Sequence, residues 1–65
     1  MKFDIGDLVY YKPAEGQAYT GVILKKAWRG EMGSVWFYKL YFIEEEDEAW
    51  IEEQYIQNFG GHNGI

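Results

Sequence analysis

Short runs of alternating or continuously apolar residues, broken by glycine, proline and acidic positions, set the pattern of the chain. Phe3-Asp4-Ile5-Gly6-Asp7-Leu8-Val9-Tyr10-Tyr11 opens with alternation, passes a Gly-Asp step and ends in a β-rich run that Pro13 closes. This predicts a first strand entered through a turn. Ala14-Glu15-Gly16-Gln17 has loop composition, and Tyr19-Thr20-Gly21-Val22-Ile23-Leu24 predicts a second strand that Lys25-Lys26 extends toward Trp28. Gly21 inside that run marks a bulge or a close backbone approach where the strand must bend. Arg29-Gly30-Glu31-Met32-Gly33-Ser34 predicts an exposed connection, the most mobile internal loop.

Val35-Trp36-Phe37-Tyr38-Lys39-Leu40-Tyr41-Phe42-Ile43 is the strongest strand signal, being almost entirely aromatic or β-branched. Its period of two separates Trp36, Tyr38, Leu40 and Phe42 from Val35, Phe37, Lys39, Tyr41 and Ile43. Lys39 assigns the first row to the core and leaves the second partly exposed. Five consecutive acids, Glu44-Glu45-Glu46-Asp47-Glu48, repel one another and suit a solvated hairpin tip. Ala49-Trp50-Ile51 returns as a short fourth strand. Glu52-Glu53-Gln54-Tyr55-Ile56 predicts one helical or 3₁₀ turn with Tyr55 and Ile56 inward, and Gln57-Asn58-Phe59 a brief closing strand. Residues 60–65 carry three glycines and read as a tail, with residues 1–59 as one domain. No internal repeat is evident.

Composition sharpens this picture. A chain of 65 residues holds one domain and buries only about 60% of the surface its unfolded form exposes. Without cysteine it has neither disulfides nor thiolate metal sites, so its three Trp, six Tyr and four Phe must supply the core. That is more ring surface than one core face holds, and Tyr10, Tyr11, Tyr19, Phe37, Tyr41 and Trp50 include rings expected at the surface, where a charge-rimmed aromatic patch marks a partner site. The bland alternative is cross-strand packing. A net charge of −5 sets a repulsive field toward phosphate and anionic lipid. No apolar run is long enough for a membrane span, and Met1-Lys2-Phe3-Asp4 does not open a signal peptide. A cytoplasmic location, of the cell or of an infected host, is the expectation.

The strings Phe3-x-Ile5-Gly6-Asp7-Leu8-Val9, Tyr19-x-Gly21-Val22-Ile23, Tyr38-x-Leu40-x-Phe42, Trp50 and Tyr55-Ile56 resemble the strand pattern of Tudor-like and other SH3-like small barrels over residues 3–59. The resemblance implies an all-β fold: a five-stranded barrel with a short 3₁₀ turn before the last strand. In methyl-reading Tudor domains an aromatic cage takes a cationic side chain, and the resemblance puts Tyr11, Tyr19 and Phe42 at three cage positions. Glu45 stands where the fourth ring belongs. An acid there suits a lower methylation state, or an unmethylated Lys or Arg. An acidic domain of this size also resembles small phage-encoded accessory or inhibitory proteins that occupy a host enzyme's basic cleft.

Catalytic chemistry is poorly provided for. The lone His62 lies in the glycine-rich tail, Ser34 is the only serine, and no phosphate-binding glycine loop precedes a helix. The acidic run lacks the alternating spacing of a calcium loop. No enzyme, cofactor or metal is expected. The leading expectation is a binding module in which Tyr11, Tyr19, Tyr41, Phe42 and Trp50, with Glu45, Glu46 and Asp47 of the acidic hairpin, engage a basic segment of a partner protein. Two alternatives stay open. One is a self-associating subunit that buries its aromatic face in an oligomer. The other is nucleic-acid binding through Lys25, Lys26, Arg29 and Trp28, where cations interleave with rings.

Overall fold

A computed structural model describes residues 3–30 and 33–58 of the chain. The strands are β1 (Leu8–Tyr11), β2 (Tyr19–Arg29), β3 (Val35–Phe42), β4 (Asp47–Glu52) and β5 (Ile56–Asn58), with a 3₁₀ turn at Glu53–Tyr55. They form one five-stranded antiparallel sheet in the order β4-β3-β2-β1-β5. The protein is therefore all-β, with the 3₁₀ turn directly before the last strand. Among the described residues the hydrogen-bonded ladder is open, and β4 and β5 are its two edges.

The core follows from the period of two in β3. Tyr38, Leu40 and Phe42 are buried, Trp36 packs against them, and the alternate row, Val35, Phe37, Lys39 and Tyr41, is only half-buried. Phe3, Val9, Ile23 and Ile56 complete the cluster from β1, β2, β5 and the N-terminal segment. Phe3 meets Tyr38 edge to face, with ring centroids 5.4 Å apart. A turn before β1 delivers it there: the Asp4 N–H donates to Asp7 Oδ2, the Asp7 N–H donates back to the Asp4 carbonyl, and Gly6 supplies a φ of 96°. Gly6 N–H and the Asp7 carbonyl then bond to the backbone of Ile23. At the other end, the Tyr38 hydroxyl donates to Glu53 Oε2 at 2.7 Å, tying the 3₁₀ turn to the core.

A register shift in the β2–β3 ladder lies between Ile23 and Lys25, so the bulge sits at Leu24 and not at Gly21. It reverses the phase of β2. Gly21 and Ile23 share the inward row of Phe42 and Leu40, whereas beyond the bulge Lys26 and Trp28 lie opposite Tyr38 and Trp36. Gly21 meets the other half of the sequence expectation, a close backbone approach: a Cβ there would lie 3.0 Å from the Tyr41 carbonyl oxygen and 3.4 Å from Phe42 Cδ1.

Several boundaries differ from the sequence reading. β4 begins at Asp47, because pairing with Phe42 and Tyr41 draws Asp47 and Glu48 into the ladder despite their charge. The turn before it spans residues 43–46, closed by the Glu46 N–H donating to the Phe42 carbonyl, with Glu46 at a φ of 54°. Ile56 is buried as expected, but Tyr55 is 40% exposed and does not face inward; it holds the turn through its carbonyl, which accepts from the Lys12 N–H. Parts of the 29–34 connection, Phe59 and the 60–65 tail lie outside the described residues.

Because the atom facing Gly21 is a backbone oxygen with little freedom to retreat, Gly21→Ala should destabilise the fold by about 1–3 kcal/mol. Urea unfolding checks this: the midpoint falls while the slope is unchanged.

Candidate binding site

Tyr11 ends β1 and Tyr19 begins β2, and the two face each other across the hairpin as a register pair. Phe42 ends β3 and pairs with Gly21, two residues along β2 and on the same face as Tyr19. Because Gly21 has no side chain, the Phe42 ring reaches the two tyrosines. Tyr11 and Tyr19 stack at 6.0 Å with 20° between planes. Phe42 lies 5.8 Å from Tyr11, tilted, and 6.0 Å from Tyr19, edge-on. The three rings line a shallow open pocket of about 200 Å³ whose other walls are Glu45 and Asp47.

The tight 43–46 turn folds back at Phe42, so Glu45 in the turn and Asp47 at the start of β4 stand beside the Phe42 ring. Rings present a negative quadrupole to a cation at their faces, and carboxylates add full negative charge at the mouth. None of the described residues that line the site is a cation. Its chemistry suits a positively charged side chain entering from solvent.

Tyr41, Trp50 and Glu46 do not join this pocket. Tyr41 stands in the opposite row of β3, between Val22 and Glu48, and Glu46 occupies the exposed tip. Trp50 pairs with Lys39 on that opposite face and is 47% exposed. There it borders a second, larger groove of about 630 Å³ with Ala27, Arg29 and Phe37. This groove is not among the sequence expectations. Its signal was the outward row of β3 containing Phe37, but aligning Ala27 and Arg29 with that row needs the bulge at Leu24.

The same phase reversal divides the basic cluster. Lys25 and Arg29 fall on the groove face, whereas Lys26 and Trp28 fall on the core side, where Lys26 pairs with Asp4 at 3.3 Å and Trp28 packs on Trp36 at 5.1 Å. Lys39 is paired with Glu48 at 3.0 Å. Among the described residues no three His, Cys, Asp or Glu side chains are grouped so as to hold a metal ion, and no helix is long and apolar enough to cross a membrane. His62 lies outside the described residues. No family model, curated protein or solved structure matches the chain.

The two aromatic surfaces differ in structural weight. Phe42→Ala should cost about 3–5 kcal/mol, because Phe42 is part of the buried core. Trp50→Ala should stay within about 1 kcal/mol, because its ring is half in solvent on an edge strand. Thermal or urea unfolding of the two variants checks the contrast.

Proposed function

We propose that this protein is a non-catalytic binding module of SH3-like, Tudor-like barrel architecture that engages a basic segment of a partner protein, one cationic side chain of which enters the Tyr11, Tyr19 and Phe42 pocket. The observation that carries this reading is the convergence of three rings, with centroids 5.8–6.0 Å apart, and two carboxylates on the same small pocket. A lone ring over a cation at an exposed site contributes only about 0.5–1 kcal/mol, so several converging faces are what make such a site useful.

The barrel reading draws support from the path of the strands. β2 is eleven residues long, pairs with β1 at its start and with β3 along most of its length, and is bulged where the two ladders diverge. The 3₁₀ turn carries the chain from one edge strand, β4, to the other, β5. Such a path bends a sheet toward closure.

Glu45 shapes the choice of cation. A carboxylate in place of a fourth ring rewards a cation that keeps N–H donors, as unmodified or monomethylated Lys and Arg do, over a trimethylated one that has none. The long-range field of a chain at −5 also steers basic segments inward and makes association depend on salt.

Calorimetric titration with a lysine-rich peptide tests this. Tyr19→Leu, which keeps apolar bulk against the core while removing a ring face, should weaken binding by roughly 0.5–1 kcal/mol. Glu45→Gln should weaken it by about 0.2–1 kcal/mol and flatten the salt dependence. Equal affinity for both variants and the parent chain would refute the pocket.

A further inference from the structure

The open edge of β4 bears directly on how a basic segment would be held, a question that rests on the binding-module reading. Among the described residues, β4 has β3 as its single hydrogen-bonded neighbour. Asp47, Glu48, Ala49 and Trp50 are all exposed, Ala49 included, although it lies opposite core residue Leu40. The strand contains no proline or glycine, and its ladder to β3 has no bulge, so it lacks the usual steric devices that blunt an edge.

The direction of its backbone groups can be read from one bond. The Glu48 N–H donates to Asp47 Oδ1 at 2.8 Å, away from the β3 ladder. Antiparallel strands alternate the side to which successive residues turn their N–H and C=O. Trp50 and Glu52 therefore share the outward sense of Glu48, while Ala49 and Ile51 serve the β3 ladder.

Charge then decides what such an edge accepts. Asp47, Glu48 and Glu52 lie on β4 and Glu53 follows at once, so a second copy of the strand would set acids against acids, whereas a basic strand would be attracted. The outward face carries the sharper pattern. Glu48, Trp50 and Glu52 follow one another at spacing two. Glu48 gives one carboxylate oxygen to Lys39, and its side chain remains 46% exposed. Between the acids, Trp50 borders a groove whose other described walls are Ala27, Phe37 and Arg29. The apolar walls favour an apolar group at that central position, and the Arg29 guanidinium disfavours a cation there. Finally, Asp47 belongs both to β4 and to the three-ring pocket, so a strand laid along the edge leads directly to it.

We infer that the partner's basic segment adds to the sheet as an extra strand on the open edge of β4, with a basic–x–apolar–x–basic pattern read by Glu48, Trp50 and Glu52, and with its continuation past Asp47 delivering a cation to the ring pocket. Main-chain bonds to Trp50 and Glu52 hold the segment, and the alternating side chains select it.

Amide hydrogen exchange on the full chain, followed by NMR, tests this with a synthetic Lys-Thr-Val-Thr-Lys peptide extended by lysine, and with the same peptide N-methylated at the residues that would face β4. The plain peptide should slow exchange at Trp50 and Glu52 about tenfold or more, leave Ala49 and Ile51 unchanged, and lose the effect on N-methylation. Shifts at Tyr11, Tyr19 and Phe42 without protection of Trp50 and Glu52 would overturn the added strand while sparing the pocket. Equal protection by a Val-Thr-Lys-Thr-Val core would overturn the pattern. No response at either place would overturn the strand and the pocket together.

Discussion

Tyr38, Leu40 and Phe42 are locked on one side of β3, and most of the molecule is arranged around that fact. Tyr38 holds Phe3 edge-on and, through its hydroxyl, the 3₁₀ turn before β5. Leu40 fills the middle opposite Ile23, and Phe42 ends the row under Tyr11 and Tyr19. A slip of one residue would send this row to solvent and bring Lys39 into the core, so the register is strongly specified. The ring pocket is thus the solvent-facing end of the same apolar column that supports the fold. Pocket and core share Phe42, so the floor of the pocket is part of the packed interior.

The bulge at Leu24 is the second determinant. It shifts β2 by one position, and the residues beyond it exchange faces. Lys25 and Arg29 come to the face of Phe37 and Trp50, while Lys26 and Trp28 turn toward Asp4, Trp36 and Tyr38. Two aromatic surfaces result, of opposite electrostatic character: the ring pocket walled by Glu45 and Asp47, and the groove walled by Arg29. β4 connects them, beginning at the pocket with Asp47 and reaching the groove at Trp50.

Much of this was legible in the sequence where the signal was local. The all-β class, the strand runs, the inward row of β3, the acidic turn and the 3₁₀ turn all rest on period and turn chemistry within a few residues. Tyr11, Tyr19 and Phe42 are grouped in sequence through a family resemblance, and in the structure they meet because two of them flank one hairpin and the third lies across side-chain-free Gly21. What escaped depends on tertiary pairing. Tyr41 and Trp50 are expected on one partner-binding surface with Tyr11, Tyr19 and Phe42, but alternation puts them on the other face of the sheet. The position of the bulge carries no mark in Leu24 itself, and with it went the groove and the division of the basic cluster. Asp47 and Glu48 join a strand because their partners on β3 outweigh their own low strand preference.

Everything proposed for the pocket depends on a cation sitting among its three rings. Rings shield protons held over them, so the most direct measurement is the NMR spectrum of a lysine-containing peptide observed as the protein is added, with the Tyr11, Tyr19 and Phe42 ring resonances followed in the same samples. The ε-methylene protons of one lysine should move upfield, and all three rings should respond with a single binding curve. Unshifted lysine protons, with responses confined to rings elsewhere on the sheet, would contradict a cation in the pocket.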